Sequence, residues 1–357
     1  MKKLEQLFKK FLLGILLSIK PVLKNTPLRK FNSESSLLFI RLNRIGDALV
    51  STPLLDQVKS KLGCKVYVLA DKKNHFIFHN NPSIDKVMIF DKKLKSFLSI
   101  NDIIRKHNID AIVDLHDDVS TTVSFLIALA SVKYKFGLEK PNHSIYSHTV
   151  ERLNPSKHHV VDRILKLSEL LSFFPDYEKI RVKYYPTEIE LSEANKILSQ
   201  NNPENKKIVG INISAGSNAR FWGVEKYKKL AALLKDYSIN YILFCSPADI
   251  NLAKIIDDSE NIYPTSDNFS IFAAGIMNID LLVTPDTSAV HLASIKSIPV
   301  FALYVRYKTD DMIWSPYNTK FDYVVTEEPT LENISFEEVK TKLLPFLETT
   351  LNVKTNT

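Results

Sequence analysis

A chain of 357 residues is long enough for two domains with separate cores. Its 45% apolar and 24% charged residues exclude a disordered chain, and two distant cysteines, Cys64 and Cys245, weigh against a disulfide framework or a zinc site and fit a reducing cytosol. The net charge of +7 is concentrated: residues 1–35 carry eight Lys or Arg against Glu5 and Glu34, so +6 belongs to this arm and +1 to the rest. That distribution excludes a broad nucleic-acid footprint and favours a local anionic partner.

The arm comes first in chain order. Leu4, Leu7, Phe8, Phe11, Leu12, Ile15, Leu16 and Ile19 recur at helical spacing among Lys2, Lys3, Lys9, Lys10 and Lys20. The apolar run is too short to span a bilayer. Three readings follow: attachment of residues 1–30 to an anionic membrane surface, a secretory leader, and docking onto the protein's own body. Lys20-Pro21, standing where a small-residue cleavage site belongs, counts against the leader.

Beyond residue 36, short apolar runs alternate with stretches of helical length, the pattern of parallel βαβ units and an α/β class. Strands are expected at 37–41, 65–69, 87–90 and 111–115, and helices at 48–61, 98–107, 121–131 and 160–173. A polar segment at 174–186 is the linker candidate. The alternation restarts with strands at 208–213 and 241–245 and helices at 224–236, 250–257 and 271–277. A strand ending at Thr284, a helix and a further strand follow, then a final helix at 335–351 and a polar tail. The resulting division is an arm (1–35), two doubly wound domains (36–175 and 190–330) and a C-terminal helix and tail (331–357). Ligands of doubly wound sheets sit beyond the carboxyl ends of the strands, so two such domains imply a shared cleft.

Two strand ends carry most of the chemistry. In LNRIGDALVSTPLL, Gly46 permits a tight turn and Asp47 presents a carboxylate able to take a proton from an attacking hydroxyl, or simply to cap a helix. Arg41 and Arg44 flank it as candidates for a phosphate-bearing substrate. In DLLVTPDTSAVHLASIKSIPVFALY, Asp286, Thr287 and Ser288 bring small polar side chains and free backbone N–H groups to a helix N-terminus, a place for phosphate oxygens, with His291 one turn later. The alternative is an ordinary N-cap with a packed histidine.

Other segments add weaker signals. NISAGSNARFWGV offers Ser214, Gly216 and Ser217 for close approach of an anion, Arg220 for a bidentate phosphate contact and Trp222 as a packing anchor. Asp249 is a candidate for ribose hydroxyls or for a cap. His116-Asp117-Asp118 and His158-His159 lack a third metal ligand at a recognisable spacing, so no metal is expected and His116 is assigned to acceptor contacts. No Gly-x-Gly-x-x-Gly, Walker loop, Gly-x-Ser-x-Gly elbow or His-Glu-x-x-His helix is present.

Taken in order, FIRLNRIGDALVSTPLLDQVKSKL, IVDLHDDVSTTVSFLIA, HVVDRILKL, VGINISAGSNARFWGVEKYKKLAALL and DLLVTPDTSAVHLASIKSIPVFALY resemble the heptosyltransferases of lipopolysaccharide assembly, glycosyltransferase family 9. The resemblance runs from about Leu37 to Trp314. It implies a GT-B fold, two Rossmann-like domains facing a central cleft, and metal-independent inverting transfer of a sugar, ADP-heptose being the expected donor, to a lipid-linked oligosaccharide. It places Asp47 as the general base. Arg220, where the family has lysine, and Asp286, Thr287, Ser288 and His291 would serve the donor diphosphate, Ser288 standing in a glycine position. Cys245-Ser246-Pro247 departs from the glycines common in that loop. The implied location is cytoplasmic, peripheral on the inner face of the inner membrane. Two other readings remain: a nucleotide-sugar or glycolipid binding protein without turnover, and a nucleotide-sugar epimerase, which would need a second acid or base near the sugar.

Overall fold

The computed structural model describes residues 2–24, 26–237, 239–257 and 261–353, and within the first helix the side chains of residues 2–7 and 10 also lie outside that description. The end of the expected polar tail, from residue 354, falls outside it too. The chain divides into two units, Met1–Lys183 and Tyr184–Thr357.

Unit 1 is a six-stranded parallel sheet of β1 (Ser36–Arg41), β2 (Lys65–Asp71), β3 (Lys86–Phe90), β4 (Ala111–Asp114), β5 (Tyr134–Leu138) and β6 (His148–Val150), in the order β3-β2-β1-β4-β5-β6. Successive side chains of a strand point to opposite faces, and every residue from Leu37 to Ile40 is buried. Both faces of β1 are therefore covered, as its unbroken apolar run requires. One face carries Leu38 and Ile40 into a core with Ile112, Leu126, Ile127 and Tyr146.

Unit 2 is a five-stranded parallel sheet of β7 (Lys207–Asn212), β8 (Ile239–Phe244), β9 (Leu281–Pro285), β10 (Val300–Val305) and β11 (Phe321–Thr326), in the order β11-β10-β9-β7-β8. Trp222 anchors its core: it is fully buried and its indole N–H donates to the Ile334 carbonyl at 2.9 Å. The C-terminal helix Phe336–Leu351 closes the same core through Val339, Leu343 and Leu347.

Several expectations need revising in detail. The helix expected at 48–61 is two, Ile45–Leu49 and Thr52–Leu62, so Gly46 and Asp47 sit inside the first rather than in the turn. The turn is made instead by Asn43, at φ 134° in the region that favours glycine. The stretch at 160–173 is α-helical only over Val160–Leu165 and tightens to a 3-10 helix over Lys166–Leu171. Strands β5, β6 and β11 and the helix Glu188–Gln200 were not anticipated.

The arm is a helix over Lys2–Ile19 that packs on the helix Thr121–Leu129, with Leu13 and Leu17 against the unit 1 core. The segment after it is tied down as well. The Lys20 amine donates to the Leu129 carbonyl and to Ser131 Oγ, and the Lys24 amine to the Tyr146 carbonyl. Tyr134 donates to the Pro27 carbonyl at 3.1 Å, and Phe31 sets its ring edge-on to Tyr134 and Phe136. Of the three readings of the arm, docking onto the body describes the inner face of this helix.

Candidate active site

In unit 1 the strand order reverses between β1 and β4, the place where a doubly wound sheet opens a crevice. Arg41 ends β1 there. Its Nε donates to the Asp47 carbonyl at 2.8 Å, its Nη2 to Asp47 Oδ1 at 2.9 Å and its Nη1 to the Leu115 carbonyl at 2.7 Å. The guanidinium thus joins the loop after β1 to the loop after β4 and fixes the carboxylate of Asp47. Asp47 keeps 20% of its side chain exposed, against 1% for Arg41, and its Oδ2 takes no hydrogen bond among the described residues. A carboxylate oriented through one oxygen and open at the other suits a general base.

A second lock lies beneath. His116 Nε2 lies 2.6 Å from the Leu42 carbonyl and its Nδ1 2.7 Å from Asp114 Oδ1, while the Lys140 amine reaches Asp114 Oδ2 at 3.0 Å and the His116 carbonyl at 2.7 Å. Tyr146 donates to Asp114 Oδ2 at 2.5 Å. Burial pushes the Asp114 carboxyl up, but the charges of Lys140 and His116 and the hydrogen bonds from His116 and Tyr146 outweigh it and hold the group well below the usual carboxylate range. Gly137 makes the arrangement possible, because a Cβ on it would lie 2.4 Å from the Tyr146 ring.

Arg41 and His116, read as acceptor contacts, are buried at 1% and 2% exposure and spend their polar atoms on protein groups. Through those bonds they tie the strand-end segments together. Arg44 alone of that set is exposed. Of the acidic and imidazole pairs, Asp117 pairs with Arg152 at 2.9 Å and with Arg163 at 3.0 Å and His159 caps the helix Val160–Leu165, while Asp118 and His158 are exposed. Among the described residues no group of three or more His, Cys, Asp or Glu is placed to hold a metal ion.

In unit 2 the order reverses between β7 and β9, and three strand-end loops are bonded together there. Asn212, the last residue of β7 and buried, donates through Nδ2 to Thr284 Oγ1 at 2.9 Å, to Thr287 Oγ1 at 3.2 Å and to the Ser214 carbonyl at 3.2 Å. Ser214 donates to Asp249 Oδ2 at 2.5 Å and accepts from the Ser246 N–H at 2.7 Å, and Ser246 donates to the same Asp249 oxygen at 2.8 Å. Ser214, Asp249, Thr284 and Thr287 are therefore brought to one place, with Asn212 as a linchpin the sequence reading missed.

The rim of this place is open. Thr287 caps the helix Ser288–Ile295 by accepting from the Ala289 N–H at 3.3 Å, and Ser288 is half-buried beside it. Gly216 and Ser217 are exposed, and a Cβ on Gly216 would meet nothing within 4 Å, so protein packing does not demand a glycine there. Arg220 Nη2 pairs with Asp286 Oδ2 at 2.9 Å, both side chains partly exposed. His291 is buried at 3%, its ring 6.2 Å from that of Trp314. A helix N-terminus, small hydroxyls and a cation at the edge are the kinds of group that can cradle an anion, with the carboxylates of Asp249 and Asp286 held by Ser214 and Arg220 beside them.

Two doubly wound parallel units with strand-end crevices are the architecture of the GT-B fold. The family described as glycosyltransferase family 9 (heptosyltransferase) matches residues 98–343, and the chain belongs to it. That match takes in the cradle and leaves Asp47 and the arm outside. The lipopolysaccharide core heptosyltransferase OpsX of Haemophilus influenzae is 22% identical over 305 residues, 82% of this chain and 85% of that protein. The putative lipopolysaccharide heptosyltransferase 4 of Escherichia coli is 24% identical over 318 residues, 85% of each. Among solved structures, a family 9 glycosyltransferase of Veillonella parvula superposes with a TM-score of 0.75 at 18% identity, covering 90% of this chain and 99% of that one. E. coli heptosyltransferase WaaC with ADP superposes with a TM-score of 0.69 at 16% identity, covering 89% and 99%.

Proposed function

We propose that this glycosyltransferase moves a heptose from ADP-heptose, with inversion and without a metal, onto a hydroxyl of a lipopolysaccharide core or related lipid-linked oligosaccharide at the cytoplasmic face of the membrane. The observation that carries the reading is the convergence of Ser214, Asp249, Thr284 and Thr287 at the unit 2 crevice, in a chain of the heptosyltransferase family. The WaaC structure with ADP and the lipopolysaccharide relatives support the choice of donor and acceptor.

In this reading the diphosphate rests on the N-terminus of the helix Ser288–Ile295, with Thr287, Ser288 and His291 from that helix, Ser214, Gly216 and Ser217 from the loop after β7, and Asp286 and Arg220 at the edge. Asp249 accepts from the ribose hydroxyls. Arg44 contacts the acceptor. Asp47 takes the proton of the acceptor hydroxyl as its oxygen attacks the anomeric carbon, the bond from that carbon to the diphosphate breaks, and the electron pair leaves with ADP. Backbone N–H groups and Arg220 stabilise the departing charge. One in-line displacement inverts the anomeric centre.

The test is incubation of the purified protein with ADP-heptose and a truncated lipid acceptor. Release of ADP together with a glycolipid heavier by one heptose is the expected result. Donor binding with no turnover across a panel of acceptors would favour a binding protein instead.

A further inference from the structure

The arm helix has two apolar faces. Leu13, Leu16 and Leu17, at i, i+3 and i+4, are partly buried, and Leu13 and Leu17 pack against unit 1. At about 100° per residue, Phe8, Phe11, Leu12, Ile15 and Ile19 fall on an outer arc centred about 140° round the helix from them, with Leu12 at its border. Their exposures are 59%, 65%, 39%, 42% and 77%. Folding of unit 1 uses the first stripe and leaves the second in water. Scattered exposed apolar residues are ordinary, but a continuous stripe at helical spacing over three turns marks a surface for something apolar.

We infer that this outer stripe inserts into the interface of an anionic lipid bilayer, with the helix lying along the surface. The charge supports that partner: Lys2, Lys3, Lys9 and Lys10 belong to the same helix, and no acidic residue but Glu5 accompanies them. An acidic surface fits this composition, and a second copy of so basic a helix is repelled by it. Insertion side-on is the mode available, because no helix among the described residues is long and apolar enough to cross a membrane. A second helix on the same support repeats the chemistry. Leu94–Leu98 packs on Thr121–Leu129, exposes Leu94 at 76% and Leu98 at 62%, and follows Lys92 and Lys93.

The inner stripe supplies what an interfacial helix usually lacks. A free helix of this length is marginal in water and pays for its ordering when it meets lipid. Here Leu13, Leu17 and the bonds of Lys20 and Lys24 hold the helix beforehand, so insertion orders little new chain. The anchor would be rigidly joined to unit 1, which holds Asp47.

The experiment uses the full chain and vesicles that contain no substrate, so its outcome is independent of the transferase reading. Cosedimentation is measured with phosphatidylcholine vesicles and with vesicles containing about a third phosphatidylglycerol, for the wild type and for a variant carrying Phe8→Ser, Phe11→Ser, Ile15→Ser and Ile19→Ser. These side chains are exposed, so the fold is expected to survive, as circular dichroism and thermal melting will show. The wild type should bind the anionic vesicles about tenfold or more tightly than the neutral ones, and the variant should lose at least about tenfold of that binding. Leu94→Ser with Leu98→Ser, in a separate element, should lose severalfold. Equal binding by wild type and the four-residue variant overturns the inference. So does a wild type that ignores vesicles and instead forms a dimer that the variant abolishes.

Discussion

The two crevices are built on the same frame and prepared in opposite ways. In unit 1 the polar groups at the strand ends are spent on one another: Arg41 on Asp47 and Leu115, His116 on Leu42 and Asp114, Lys140 and Tyr146 on Asp114. What remains is one carboxylate oxygen of fixed direction. In unit 2 Asn212 gathers the loops after β7 and β9, Ser214 and Asp249 add the loop after β8, and Ser217, Ser288, an exposed glycine and a helix N-terminus stay along the rim. In the proposed reaction the proton acceptor needs orientation, which a buried ion pair supplies, and the diphosphate needs donors left free at a rim, where the one ion pair, Arg220 with Asp286, is partly exposed.

The largest effect is expected from removing the carboxylate. Asp47→Asn should lower kcat by about two to four orders of magnitude, the usual range for a general base, in a steady-state assay of ADP release. Arg41→Met leaves Asp47 without its buried partner and should cost about 3–5 kcal/mol of stability by urea unfolding. Arg41→Lys should recover little, because one ammonium cannot serve Asp47 Oδ1, the Asp47 carbonyl and the Leu115 carbonyl together.

On the unit 2 side, Arg220→Ala should weaken ADP-heptose binding by about tenfold to a hundredfold, the ~1.5–3 kcal/mol of a hydrogen bond to a charged group, with little change in melting temperature. Gly137→Ala drives a methyl into the Tyr146 ring and should destabilise unit 1 by about 1–3 kcal/mol. The smallest effect is at Lys135, which is 4% exposed and whose amine is pushed down to about 8, first by burial and then by the charge of Lys20. Between pH 8 and the ordinary lysine value the unfolded chain holds a proton that the folded chain has lost, so stability rises with pH across that window. Lys135→Met should therefore raise the melting temperature by a few degrees at pH 7, a gain that fades toward pH 10.5.

The fold was legible where strands are fully buried. The apolar runs of β1, β2, β4, β7 and β9 announce a parallel sheet because helices cover both faces. Lys135 and Gly137 interrupt β5, β6 has three residues, and β11 is a partly exposed edge, so none shows the pattern. The helix Glu188–Gln200 did have a signal, the capping box of Thr187 and Glu190, hidden within a polar stretch. Asp47, Ser214 and Thr287 do lie just beyond the strand ends from which the sequence singled them out. Strand-end position could not tell that Arg41 folds back onto Asp47, or that Lys140 and Tyr146, 26 and 32 residues from Asp114, converge on it. Such convergence depends on crossovers that no local spacing records.

Calorimetric titration of ADP-heptose into Asp47→Asn asks whether donor binding rests on unit 2 and proton transfer on unit 1. A dissociation constant within about threefold of the wild type, in a protein that no longer turns over, is the expected result. Loss of donor binding along with turnover, or turnover that survives the substitution, would contradict it.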